Sequence, residues 1–254
     1  MVQSVARALG LLELLDGAGR DGLRLGDLAV RAGLKPPTAH NLLATLEAMG
    51  YVRQSEPTRR YALGPRALAL GRQRELAEAL AWAGERHART LYRAVNETLV
   101  LAMLDAGRRR TLLSMESQQS LRVGASQGFD ERLYDTATGR VMLSRLEPER
   151  LDAWAAEHGL PGPAWPEAAD ASSLRQALGD IARAGFARYE SAAAHVVALA
   201  VPIGLSCADV NAALGLYLPS ARSSPGREQE LVGALVEAAA GISADFERMA
   251  PWTS

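Results

Sequence analysis

The chain has 254 residues, with 28 Lys plus Arg, 29 Asp plus Glu and a formal charge of −1. That balance counts against a uniformly basic nucleic-acid coat, and 48% hydrophobic residues count against disorder. No apolar run approaches the roughly 20 residues that span a bilayer, and the start, MVQSVARALG, shows no apolar block with a small-residue cleavage site. One cysteine, Cys207, and four His give no disulfide and no metal-ligand spacing. The expectation is a cytoplasmic protein without membrane contact, bound metal or cofactor.

The whole-chain charge hides a segregation. Residues 1–74 hold 11 Lys plus Arg against 6 Asp plus Glu, a balance of +5, whereas residues 75–254 hold 17 against 23, a balance of −6. A basic head on an acidic body is the asymmetry of a chain in which one domain meets a polyanion.

In the head, Ser4 followed by Val5, Ala8, Leu9, Leu12 and Leu15 predicts a capped amphipathic helix that stops in the Gly17–Gly22 stretch. Leu25, Leu28, Ala29 and Ala32 predict a short second helix ended by Gly33. Pro36 and Pro37 fit only before or within a first helical turn, so a third helix is expected from about Pro37 to Met49. Its apolar stripe of Ala39, Leu42, Leu43, Leu46 and Met49 should face the core, leaving Thr38, His40, Asn41, Ala44 and Thr45 outside. Residues 51–54 and 60–63 then read as a hairpin carrying Arg53, Arg59 and Arg60.

Three short helices and a basic hairpin make a winged helix-turn-helix. Small polar side chains near the start of the third helix can reach base edges in a major groove about 12 Å wide, while cations hold phosphates. Thr38, His40, Asn41 and Thr45 are therefore candidate DNA contacts on the helix, with Lys35, Arg53, Arg59 and Arg60 as candidate phosphate contacts. For any single one of them, an ordinary solvated surface residue is an equally good reading.

The runs SVARALGLLELL, LGDLAVRAGLKPPTAHNLLATLEAMGYV and RRYALGPRALALG resemble the N-terminal domain of IclR-type bacterial transcriptional regulators. In that family the position of Pro37 is usually a Ser or a similar residue, so one DNA contact is missing here. The resemblance implies binding to a palindromic double-stranded operator as a homodimer or dimer of dimers. It also implies an effector domain at the C-terminus and a linking helix between the two.

From Arg66 to about Val95 the chain is rich in Ala, Leu, Glu and Arg, which predicts one or two long helices, either the family's linker or part of the C-terminal core. The body then alternates strand and helix patterns. Residues 98–104 and 111–115 form a hairpin around Asp105–Arg108, and helices follow at 136–146, 148–158 and 172–184. Residues 159–166 form a loop, strands follow at 186–190, 196–203 and 212–218, and a closing helix runs from Gly226 to Met249. The expected class is α+β, with a mixed sheet flanked by helices. Residues 1–72 are the DNA-binding domain, 73–95 the linker and 96–254 the body. LYDTATGRVMLSRL, GFARYES, VVALAVPI and NAALGLYLP resemble the GAF-like effector-binding domain of the same family.

Tyr134-Asp135-Thr136-Ala137-Thr138-Gly139, ahead of an apolar helix, offers hydroxyls and unpaired amides for a carboxylate, or simply a capped helix. The resemblance favours the former. It aligns Val197, Gly215 and Tyr217 with the strands that complete the family's pocket, beside Tyr134, Thr138, Gly139 and Glu190. A Tyr facing a Gly implies an apolar slot with one hydroxyl, suited to a flat carboxylic acid, aromatic ones included, rather than a very small polar one.

Two rival classes were weighed. Gly204-Leu205-Ser206-Cys207-Ala208 approximates a nucleophile elbow, but the final Gly is absent and the last His, His195, precedes Ser206, which counts against a hydrolase. Cys207 has no resolving partner in the chain for redox sensing. An architectural DNA-binding protein without a ligand is the other alternative. It differs in that its operator affinity would be indifferent to metabolites.

Overall fold

The computed structural model describes residues 2–124, 128–206 and 210–249, apart from the side chains of Arg20 and Arg72. Cys207 and Ala208, and with them the end of the elbow-like segment, lie outside the described residues. The chain divides into two compact units, Met1–Glu75 and Leu76–Ser254.

In the head, α1 (Gln3–Asp16), α2 (Leu25–Arg31) and α3 (Pro36–Ala48) pack with a three-stranded antiparallel sheet in the order β1-β3-β2. The strands are β1 (Leu23–Arg24), β2 (Val52–Gln54) and β3 (Arg60–Leu63). Leu11, Leu15, Leu28, Leu43, Val52 and Tyr61 form the core. Two details differ from the sequence reading of α1. Ser4 lies inside the helix, with Val2 at the N-cap position, and Val5 and Leu9 are exposed. In α3, Lys35 is the N-cap residue, with extended ψ, and the two prolines occupy the first turn, where their missing amide hydrogens cost nothing. Met49 is exposed at the C-cap, outside the expected core stripe.

A single helix, α4 (Pro65–Val95), follows. From Leu76 onward it packs into the body core through Leu76, Leu80, Ala83 and Leu91.

The body sheet comprises β4 (Thr98–Asp105), β5 (Arg108–Met115), β6 (Phe129–Asp130), β7 (Ala187–Ser191), β8 (Val196–Pro202) and β9 (Ala212–Pro219), in the order β6-β5-β4-β9-β8-β7. The α+β class is as expected, but every pairing is antiparallel and the sheet is not mixed. The helices between β6 and β7 do not return the chain in parallel; they carry it to the opposite edge of the sheet.

One face packs on α4 and α8 (Pro225–Met249) through Leu99, Leu101, Leu214 and Leu216. The other face is made of small residues, among them Ala102, Ala198, Ala200, Ala213 and Gly215. It admits α5 (Ala137–Ser144) directly against the sheet. Outside α5 lie α6 (Pro148–His158) and α7 (Ala171–Ala184), the latter held by an Asp170–Ser173 capping box and stopped by Gly185 in the left-handed region. The loop expected at 159–166 contains a short 3-10 turn, Gly162–Ala164, and a second, Pro166–Ala168, begins at its end.

Candidate nucleic-acid interface and effector site

On α3, burial of Ala39, Leu43 and Leu46 turns His40, Asn41, Ala44 and Thr45 to solvent, while Thr38 is half-buried. Thr45 Oγ1 donates back to the Asn41 backbone carbonyl at 2.9 Å, and Asn41 itself is exposed. Lys35, Arg53 and Arg59 are exposed. Arg60 is half-buried, and its Nη1 donates to the Gly22 carbonyl at 2.9 Å, so part of this guanidinium fastens the wing to the turn before β1.

Register fixes the rest of the wing. Arg53 lies opposite Ala62, and Arg60 lies opposite Arg24, so all three arginines share the sheet face turned away from Tyr61. Arg53 and Arg60 line a cleft of about 500 Å³. Arg24 and Arg59 line another of about 650 Å³ together with His40. The wing is tied to α3 by the Gln54 amide, which donates to Glu47 Oε1 at 2.9 Å. Arg24 went unnoticed in the sequence because β1 is only two residues long and shows no alternation.

In the body, the Thr136 side chain caps α5, accepting from the Gly139 amide at 3.1 Å. A Cβ on Gly139 would stand 2.2 Å from the Leu133 carbonyl oxygen, so Gly139 is there to let the preceding loop close on the helix. Thr138 sits over Gly215: its Cγ2 is 2.8 Å from where a Gly215 Cβ would be. The slot expected at Gly215 is therefore filled by the Thr138 methyl.

Cross-strand register gathers polar groups around this point. Ser114 pairs with Val100 and Val100 with Gly215, so Ser114 lies on the face beneath α5; Tyr217, two residues on, shares it. Thr138 Oγ1 and Ser114 Oγ are buried and make no hydrogen bond of normal geometry. Burial pushes the Tyr217 phenol up, and nearby Arg109 and the Thr138 hydroxyl pull it partly back. Arg109 is itself buried and reaches Asp130 at 3.3 Å.

Three of the expected effector residues lie elsewhere. Val197 projects into the α4–α8 core, on the opposite face from Tyr217, because Tyr217 aligns with Ala198. Glu190 is the register partner of Val197, is exposed, and pairs with Arg188 at 2.8 Å. Tyr134 is buried against Trp154 and donates its hydroxyl to the Gly159 carbonyl at 2.9 Å, with burial pushing its pKa to about 12. It builds the outer helical layer and does not face Tyr217.

Residues 4–56 match the IclR helix-turn-helix domain, and residues 76–244 match the C-terminal domain of the bacterial transcriptional regulator IclR. The chain belongs to the IclR family of transcriptional regulators. A glycerol operon regulatory protein from Streptomyces griseus is 34% identical over 96% of this chain and 96% of its own length. A transcriptional regulator from Rhodococcus sp. RHA1 has the same fold, with a TM-score of 0.63 at 26% identity over 98% of this chain and 100% of that one. An IclR homologue from Microbacterium hydrocarbonoxydans, solved with 4-hydroxybenzoate, has a TM-score of 0.58 at 24% identity over 97% and 100%. These relatives are regulators, and the enzyme reading is set aside. No helix among the described residues is long and apolar enough to cross a membrane.

The ion pairs of this IclR-family body carry a pH signature. Burial alone would raise the Asp130 carboxyl, but hydrogen bonds and charge from Arg132, with Arg109 behind them, hold it well below its ordinary 3.8. A depressed folded-state pKa contributes stability above the unfolded value and loses it as pH falls through the folded one. The urea midpoint of the wild type should therefore fall more steeply between about pH 5 and pH 3 than that of Asp130→Asn. Parallel slopes would remove this ion pair from the account of acid stability.

Proposed function

We propose that this IclR-family chain binds an operator through α3 and the basic wing face, and that a small organic acid bound beneath α5 shifts its operator affinity. The observation that carries the effector site is the buried Ser114 Oγ, which makes no hydrogen bond, beside the Thr138 hydroxyl and the Tyr217 phenol. Buried polar groups are nearly always hydrogen-bonded, so an unsatisfied hydroxyl within this polar cluster calls for a polar ligand. Arg109, on the same face, makes the site tolerant of a negative charge. A flat acid fits a layer between helix and sheet better than a bulky one.

The operator reading includes a cytoplasmic homodimer or dimer of dimers, since paired half-sites mirror protein two-fold symmetry. The exposed apolar residues Val2, Val5 and Leu9 along α1 support a covered, self-associating surface.

Isothermal titration with 4-hydroxybenzoate, benzoate and glyoxylate tests the effector class. A flat acid should bind, and Thr138→Val should weaken it about tenfold, equivalent to about 1.4 kcal/mol. Binding of glyoxylate alone would overturn the assignment. In a gel shift the bound acid should change operator affinity about 5- to 150-fold, the usual range of coupling between two sites. An operator affinity indifferent to every acid would instead favour the ligand-independent architectural reading.

A further inference from the structure

A second cavity lies toward the β7 edge of the same sheet. Arg140 is only 9% exposed, an unusual place for a guanidinium. Its Nε donates to the Tyr134 carbonyl at 2.6 Å, and its Nη2 donates to the Ala164 carbonyl at 3.3 Å. The Trp165 ring centre lies 3.9 Å from the guanidinium carbon and the Tyr189 ring centre 5.1 Å away. The side chain is thus held by two carbonyls and lies over the Trp165 and Tyr189 rings, with Nη1 making no hydrogen bond to a described residue. Burial draws its pKa down to about 10. Among the described residues, no carboxylate stands within ion-pair distance of it. Asp135 and Glu167 act on it only from beyond ion-pair distance, so a direct anionic partner is still missing.

Arg140 opens on a cavity of about 670 Å³ that is also lined by Asp135 and Glu167. Asp135 Oδ1 is buried and makes no hydrogen bond; burial raises the Asp135 carboxyl, and Arg132 and, less strongly, Arg140 pull it partly back. Arg188 and Glu190, also in the lining, are engaged with each other and with Glu228. The charges left for a ligand are one fixed cation, Arg140, and two carboxylates, Asp135 and Glu167. A simple anion would meet both carboxylates, and a simple cation would meet Arg140. A small molecule bearing both charges on adjacent groups satisfies each.

We propose that this cavity binds a free α-amino acid, its carboxylate on Arg140 Nη1 and its ammonium on Asp135, with Glu167 at the rim. The Arg140 fork is pre-organised by its two carbonyl partners and the Trp165 ring, so little entropy is lost when a carboxylate docks. Its lining does not include Thr138, Ser114 or Tyr217, so variants at Arg140 and Asp135 test it apart from the acid site.

The test is isothermal titration of the full chain with L-alanine, L-leucine and L-phenylalanine, set against propionate and propylamine, which each carry one of the two charges. At least one amino acid should bind, with both single-charge controls at least about tenfold weaker. Arg140→Gln and Asp135→Asn should each weaken the amino acid about tenfold or more. Arg140→Lys, which keeps the charge but loses the fork, should recover part of it. Urea unfolding verifies that each variant is folded, and if Arg140→Gln is not, Asp135→Asn and the single-charge controls decide alone. Absence of amino-acid binding, propionate binding as tightly as the amino acids, or full affinity in folded Asp135→Asn would each overturn the proposal.

Discussion

Gly22→Ala is expected to cost the head at least about 3 kcal/mol and to lower its melting temperature by more than about 10 °C. Gly22 has φ 62° and ψ −178°, a region that residues with a Cβ essentially do not occupy. A Cβ there would also stand 2.3 Å from the Tyr61 carbonyl oxygen, which is backbone and cannot swing away. The same glycine carbonyl accepts from Arg60, and Leu23 next to it pairs with Tyr61, so a shift would pull β1 from the wing. DNA affinity should fall with stability, since Arg24 and Arg60 depend on that pairing for their placement. Thermal melting by circular dichroism, with fluorescence anisotropy on DNA, reads both. A melting temperature within a few degrees of wild type would show that the turn is not held as described.

Gly139→Ala should be comparably severe for the body. The added Cβ would meet the Leu133 carbonyl oxygen at 2.2 Å, Leu133 Cα at 2.6 Å and Thr136 Oγ1 at 2.6 Å. Either α5 lifts from the loop or the Thr136 cap breaks, and both move Thr138 off Gly215. The expected loss is about 3 kcal/mol or more, in the range of backbone strain combined with a lost cap. Acid binding should disappear with it. Titration calorimetry on whatever fraction remains folded separates this from simple unfolding: a folded variant with wild-type acid affinity would place the acid away from the start of α5.

The contrast between these two regions and the rest shows what a sequence can carry. The head was legible because its signals are local: two prolines that start α3, a stripe at helical spacing and arginines flanking a turn. Arg24 escaped because a two-residue strand has no period. In the body, the positions of strands and helices were readable, but their facing was not. Val197 and Glu190 were placed with Tyr217, yet the register puts Ala198 opposite Tyr217, and a shift of one residue sends a side chain to the other face. Gly215 looked like an open slot, although only the tertiary structure reveals that the Thr138 methyl occupies it. Ser114 and Arg109 lie in a strand, RRRTLLSM, without clean alternation. Arg140 sits in a helix buried from Ala137 to Leu143, so no polar face marked it.

The charge segregation also takes a more definite form. Of the basic residues in the head, Lys35 lies at the start of α3, and Arg24, Arg53 and Arg60 share one face of the wing sheet, with Arg59 at its turn. The near-neutral total is compatible with nucleic-acid binding because these cations are gathered on the wing and at the start of α3.

The central claim is that α3 reads bases through its exposed polar face, and Asn41→Ala tests it most directly. A duplex selected by the wild-type chain from a random library and an unrelated duplex would each be titrated at one fixed salt concentration. Loss of a bidentate contact to adenine predicts about 1–3 kcal/mol weaker binding to the selected duplex and little change on the unrelated one. Equal losses on both duplexes, or none on either, would contradict it.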